Sequence, residues 1–90
     1  MAMTKVEKAS KQWIVNKLAK EGYVTYSRIL QNFDFNLTDD PNTVGYMIPN
    51  KGVIVINKKL DEDQVSVICR HEILHSYLNH EKRLITHLAK

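Results

Sequence analysis

The residues best suited to chemistry lie in one short stretch near the C-terminus of the chain. The stretch is His71-Glu72-Ile73-Leu74-His75, an H-E-x-x-H pattern. On a helix, residues four apart stack on one face with Cβ atoms about 5–6 Å apart, so both imidazoles can reach one metal ion. Neutral imidazole is a common ligand of zinc, and Glu72 is placed to touch a water in an open metal position. The pattern predicts zinc-dependent hydrolysis, with His71 and His75 as ligands and Glu72 as general base.

A plainer interpretation of the motif is structural. Two histidines can lie in a fold with their hydrogen bonds satisfied and no metal bound. That interpretation does not require a glutamate directly after the first histidine, so the metal hypothesis accounts for more of the pattern.

The motif needs a helix to position it, and the preceding residues supply a helix start. Asp61 is the expected N-cap, and Gln64 completes a capping box three residues later. Apolar and motif residues then recur at spacings of three and four, which predicts that the histidine pair lies on or beside the face that meets the protein body. Cys69 lies on the side of this helix opposite His71, and we expect it to be a buried small hydrophobe rather than a metal ligand.

The remaining elements can be predicted in chain order. A capping box at Thr4 and Glu7 starts a first helix that stops at Gly22, with Trp13 expected in the core. A short helix is preferred to a strand for residues 23–31, and alternation predicts a strand over residues 33–37. The apolar segments 44–48 and 53–57 flank a Pro-Asn-Lys-Gly turn and predict a β-hairpin. A short C-terminal helix is expected, with Leu84, Ile85 and Leu88 on its apolar side. Together these helices and strands predict an α+β fold in a single domain over residues 1–90.

Composition narrows the classes of protein to consider. The chain has 90 residues and one cysteine, which excludes an internal disulfide framework and fits a reducing compartment. No N-terminal signal and no long apolar run are present, so we expect a cytoplasmic protein without a membrane partner. The net charge of +3 is spread out, without a run of like charges. A small basic DNA-associated protein is a weaker hypothesis, because no helix-turn-helix or basic stripe is recognisable, and we expect no nucleic-acid partner.

The region from Val44 to His80 resembles the ImmA/IrrE family of zincin-like metallopeptidases. The similar features are Gly45-Tyr46, the apolar strand ending at Asn57, the acidic helix start and the H-E-x-x-H helix. The resemblance implies a minimal zincin-like domain and an intracellular peptidase that uses Zn²⁺. It also implies a protein or peptide substrate. Members of this family cleave repressor-like DNA-binding regulators of mobile elements, which makes a phage or mobile-element origin the expectation.

The third zinc ligand is where the chain departs from that family. The resemblance implies a glutamate from a second helix well beyond the motif, but only fifteen residues follow His75. The candidates within the chain are Glu81, His80 and His87, with Glu81 favoured for its chemical match. The alternative is that a partner chain or the substrate completes the site. On an unbroken helix His80 and Glu81 would point away from His75, so a chain reversal near residues 79 and 80 is required.

Two further points stay open in the sequence. The resembling fold binds substrate as an extended strand beside an exposed edge of the sheet. Residues 53–57 are the arm nearest in sequence to the motif helix, but the sequence does not identify which strand supplies the edge. The donor to the developing oxyanion is also open among Tyr46, Tyr77 and a histidine of the tail.

The alternative function is a non-catalytic zincin-like regulator or adaptor that acts by protein binding.

Overall fold

The computed structural model describes residues 3–78 of the chain. Over that range it is a small α+β fold with three helices and a mixed sheet of three strands. The elements in chain order are helix α1 (Lys5–Lys20), helix α2 (Val24–Gln31), strand β1 (Asp34–Thr38), strand β2 (Gly45–Ile48), a 3-10 turn (Pro49–Lys51), strand β3 (Val53–Asn57), helix α3 (Glu62–Ile73) and a π-helical turn (Leu74–Leu78). The predicted C-terminal helix lies outside the described residues.

Helix α1 begins at the predicted capping box. The Glu7 amide donates to Thr4 Oγ1 (3.1 Å), and the Thr4 amide donates to Glu7 Oε1 (2.9 Å). These two bonds satisfy amides that have no partner within the helix. The buried face of the helix is centred on Ile14 and Leu18, which are 2% and 0% exposed.

The prediction that Trp13 belongs to the core is wrong. Its side chain is 40% exposed, and the Lys17 ammonium lies 5.6 Å from the centre of its ring. Consecutive helical residues are about 100° apart, so Trp13 lies on the flank of the face that Ile14 centres. The apolar stripe of α1 is wider than the part of it that the other described residues cover.

Helix α2 confirms the short helix expected before the first strand. The Ser27 hydroxyl is buried and donates to the Val15 carbonyl of α1 (2.8 Å), which fixes the two helices together. Because α2 ends only two residues before β1, it also sets where the sheet begins.

The predicted hairpin is present, and β3 is the central strand of the sheet. The strand order is β1-β3-β2, with β1 parallel and β2 antiparallel to β3. Phe35, Ile54 and Met47 stand in one row across the sheet and are 1%, 0% and 8% exposed, so this face packs on the helices. Because β3 has a neighbour on each side, residues 53–57 cannot supply a free edge.

The outer edge of β1 is occupied by the start of α1. The Leu37 amide donates to Glu7 Oε2 (2.7 Å), and the Phe35 amide donates to the sulfur of Met3 (3.2 Å). The hydrogen bonds from the Thr4 and Leu37 amides hold the pKa of the buried Glu7 carboxyl below its ordinary value. These contacts close one edge of the sheet to strand addition, since its outward amides already have acceptors.

Helix α3 starts as predicted, at a second capping box. The Gln64 amide donates to Asp61 Oδ1 (2.9 Å), and the Asp61 amide donates to Gln64 Oε1 (3.0 Å). Its buried residues are Ser66, Cys69 and Ile73, so one face of α3 packs on the core. Among residues 3–78, no helix combines the length and the apolar content needed to cross a membrane.

Candidate metal centre and the open strand edge

The H-E-x-x-H residues span the end of α3 and the π turn. His71 and His75 are exposed, Glu72 between them is half-buried, and Ile73 is fully buried. The buried Ile73 anchors this part of the helix in the core while the two imidazoles face outward. The structure thus brings the two predicted ligands to one side of the helix.

The two imidazoles are close neighbours. Their ring centroids are 4.4 Å apart and their planes are inclined by 60°. Two imidazoles bound to one zinc ion, with nitrogens at about 2.0–2.1 Å, have centroids about 5 Å apart at a tetrahedral angle. The observed separation of the two ring centroids is shorter than that value.

The π turn within the motif is a feature that the sequence did not predict. Helix α3 keeps α geometry through Ile73, and residues 74–78 then form one wider turn. Single π turns inside helices interrupt the regular ladder of hydrogen bonds and are frequent at functional sites. Here the turn begins between the two histidines and includes His75, so His71 lies in the α-helical part of the motif and His75 in the π-helical part.

A third protein ligand is not among the described residues. Over residues 3–78, no group of three or more His, Cys, Asp or Glu side chains is positioned to hold a metal ion. The predicted candidates Glu81, His80 and His87 lie outside that range, so each of them stays a prediction.

Cys69 is confirmed as a buried residue. Its side chain is 0% exposed. Burial in the core, with a smaller contribution from the negative charge of Glu72, raises the pKa of the thiol to about 12. Cys69 lies in the core while the two imidazoles are exposed, so it packs as a small hydrophobe, and its protonated thiol is not a nucleophile.

Strand β2 presents an unpaired edge over the part of the chain that the structure describes. The Asn57 amide donates to the Val44 carbonyl (3.0 Å), and bonded positions alternate along an antiparallel pair. Every second residue from Val44 onward therefore bonds to β3. Gly45 and Met47 direct their backbone N–H and C=O groups the other way, towards the open side of the sheet.

Gly45 sets the distance between this strand and the motif helix. A Cβ atom at Gly45 would lie 2.8 Å from Ile68 Cγ2, closer than such atoms approach in proteins, and 3.0 Å from Ile56 Cδ1, which is tighter than most such contacts. Only glycine lets β2 pack this tightly on α3. Ile68 precedes Glu72 by one helical turn on the same face, so the open edge and the motif share one side of the molecule.

The two tyrosines proposed as oxyanion donors are placed differently. Tyr46 alternates with the buried Met47, so its 44% exposed side chain lies on the sheet face away from the helices. That position removes Tyr46 from the side of the sheet that carries the motif. The Tyr77 ring packs edge-on against Phe33, with ring centroids 5.7 Å apart, and is half-buried.

Arg70, next to the motif, was not singled out in the sequence. Its guanidinium lies 4.1 Å above the centre of the Tyr23 ring, and its buried Nε has no hydrogen-bond partner among residues 3–78. The contact ties α3 to the start of α2 beside the first histidine. A cation and an aromatic ring so far apart in the chain give no sequence signal, since the pairing depends on how the helices pack.

Comparison with known proteins adds no assignment: no family model matches the chain, and neither a curated protein nor a solved structure gives a match. The functional interpretation therefore depends on the motif, its geometry and the open strand edge.

Proposed function

We propose that this protein is a zinc-dependent metallopeptidase with a minimal zincin-like fold that hydrolyses peptide bonds of an intracellular protein. The observation that carries the proposal is the exposed His71–His75 pair, with ring centroids 4.4 Å apart and Glu72 between them. The open edge of β2 on the same side of the molecule supports it. A zinc ion held there would polarise the substrate carbonyl and lower the pKa of the attacking water.

Glu72 is the general base of the proposed reaction. Its half-buried carboxylate accepts the proton of the attacking water and passes it to the leaving amine. A glutamine in its place keeps the size of the side chain but cannot take up that proton. Glu72→Gln should therefore abolish hydrolysis and leave metal binding unchanged.

The open edge of β2 is the proposed site for the substrate backbone. The outward groups of Gly45 and Met47 can pair with an extended peptide of any sequence. The other edge of the sheet is closed by Glu7 and Met3, so strand addition is directed to the side that carries the motif.

The third zinc ligand proposed is Glu81, with His80 and His87 as the alternatives. Glu81→Gln removes a carboxylate ligand with little change in size. We expect it to weaken zinc affinity by about 10-fold or more, whereas His80→Ala and His87→Ala leave affinity within a few-fold. Zinc affinity measured by competition with a chromogenic chelator distinguishes the three candidates.

The test of catalysis is cleavage of a protein substrate by the zinc-loaded chain. Wild type and Glu72→Gln are incubated with an unfolded casein substrate and with purified repressor-like regulators, and new N-termini are counted by mass spectrometry. Cleavage by wild type alone supports the peptidase. Zinc bound by both proteins with no cleavage by either would assign the chain to the alternative, a non-catalytic regulator that acts by protein binding.

A further inference from the structure

A shallow apolar depression lies between β2 and the first half of α3. Its volume is about 410 Å³, and its lining residues are Val44, Leu60, Asp63, Gln64, Val67 and Ile68. Val44 and Val67 are 54% and 52% exposed although both are aliphatic. Neighbouring exposed aliphatic side chains with a polar rim are typical of surfaces that bind a ligand.

The depression adjoins the open edge of β2. Val44 directly precedes Gly45, the first residue with outward backbone groups, and Ile68 is the side chain against which Gly45 packs. A peptide that pairs with this edge therefore passes beside the depression. Unpaired backbone N–H and C=O groups select an extended peptide, because only such a backbone matches their spacing.

The distance from the depression to the motif sets the register of such a peptide. Ile68 and Gln64 line the depression and precede Glu72 by four and eight residues on one face of the helix, and Ile68, at the near end, is about 6 Å from Glu72 along the helix axis. An extended peptide reaches the depression from Glu72 in two to three residues at about 3.3 Å each. A side chain seated in the depression thus belongs to a residue two or three positions from the bond placed beside Glu72.

We propose that this depression is a specificity subsite that accepts an apolar side chain of the extended substrate, two or three residues from the hydrolysed bond. The register rests on the proposed peptidase function, whereas the binding preference does not. The substrate class is an extended segment with an aliphatic or aromatic residue at that position. The apolar preference comes from the aliphatic lining, because the carboxylate of Asp63 at the rim is 88% exposed and already paired with Lys17 (3.1 Å).

The test uses short threonine-host peptides, each with one leucine or one lysine placed in turn along the chain. Threonine favours extended backbone without filling an apolar site. Binding to the zinc-loaded full chain carrying Glu72→Gln is measured by fluorescence anisotropy, so that no probe is cleaved. Cleavage of the same probes by the wild-type protein is followed in parallel by mass spectrometry.

The peptide with leucine at one position should bind at least about 10-fold more tightly than the peptide with lysine there. Burying a leucine side chain contributes enough binding free energy for that ratio. Val67→Glu, added to the Glu72→Gln chain, should reverse the preference at that position. The matched control is Val24→Glu, because Val24 is a helical valine of similar exposure, 47%, outside the depression. The control should keep the preference for leucine.

Each outcome separates the subsite from the hydrolysis. A preference for leucine that Val67→Glu reverses, without cleavage by the wild type, supports the subsite and refutes the peptidase. Cleavage with the same preference in Val67→Glu refutes the subsite and keeps the peptidase. Absence of binding by every peptide overturns the subsite. A stable dimer in sedimentation that Val67→Glu dissociates also overturns it, because the edge would then bind a second copy of the chain.

Discussion

Gly45→Ala tests whether β2 packs on α3 as tightly as the structure shows. The added Cβ would lie 2.8 Å from Ile68 Cγ2 and 3.2 Å from the Val55 carbonyl oxygen. Overpacking of this kind costs about 1–3 kcal/mol. Alanine recovers about 0.5–1 kcal/mol because glycine loses more conformational freedom on folding. The two ranges leave a net change of about 0–2.5 kcal/mol. Because the closest contact is with the Cγ2 methyl, which branches at Cβ and cannot swing away freely, we expect a net loss of about 1–2 kcal/mol in the free energy of unfolding.

The assay is chemical denaturation followed by tryptophan fluorescence, with thermal unfolding as a second measure. In a domain of this size, 1 kcal/mol corresponds to about 4–8 °C in Tm. The expected loss therefore lowers Tm by about 4–16 °C. Proteolytic activity, if present, should fall as well, because the strand edge moves relative to the motif helix.

A double-mutant cycle with Ile68 identifies the cause of the loss. Ile68→Ala removes the Cγ2 methyl that the new Cβ would meet, so Gly45→Ala should cost at least about 0.5 kcal/mol less in that background. Ile68→Val is the matched control, since valine keeps a methyl at the Cγ2 position and should keep the full cost. Equal costs of Gly45→Ala in the wild-type and Ile68→Ala backgrounds would refute the close packing of β2 on α3.

Two further predictions concern the contacts that hold the sheet and the motif helix. Glu7→Gln should cost about 1–3 kcal/mol at neutral pH, because one neutral amide cannot accept the hydrogen bonds from both Thr4 and Leu37. The pKa of Glu7 is lowered in the folded protein. The difference in free energy of unfolding between wild type and Glu7→Gln should therefore be largest above the unfolded pKa of about 4.3, and it should shrink as pH falls through the lowered pKa. A difference that grows in acid would contradict this. Asp61→Ala should lower the free energy of unfolding by about 0.5–2 kcal/mol, because it removes the N-cap of α3. Asp61→Asn is the control, since asparagine keeps a capping oxygen. Urea denaturation measures both variants, and equal losses of stability would refute the capping role.

Features that depend on neighbouring residues could be predicted from the sequence. Both capping boxes were predicted because the Thr4–Glu7 and Asp61–Gln64 pairs are three residues apart and bond to each other's backbone. The hairpin followed from the Pro49–Gly52 turn, where Gly52 adopts a φ of 66°. In each case the determining interactions lie within a few residues.

Features that depend on distant residues could not be predicted. The parallel pairing of β1 with β3 places β3 in the centre, and no local pattern in either strand specifies that partner. Trp13 was misplaced because helical periodicity gives an apolar side but not how much of that side its neighbours cover. The closed β1 edge depends on Glu7, a charged residue with no sequence signal for burial.

The candidate site was predictable only in part. The spacing of His71 and His75 predicted that their side chains lie on one side of the helix. In the structure the two imidazole rings are neighbours, with centroids 4.4 Å apart. The open groups of Gly45 and Met47 follow from the strand order, which no local pattern specifies, and no pattern in residues 74–78 marked the π turn.

The zinc content of the full chain, purified without added metal, tests the central claim most directly. Wild type, His75→Ala and Glu72→Gln are compared by elemental analysis of protein of known concentration. The account predicts near-stoichiometric zinc in wild type and Glu72→Gln, and its loss in His75→Ala, because an imidazole is a ligand and the glutamate is not. Wild-type protein without zinc even after the metal is supplied, or zinc retained in His75→Ala, would contradict the account.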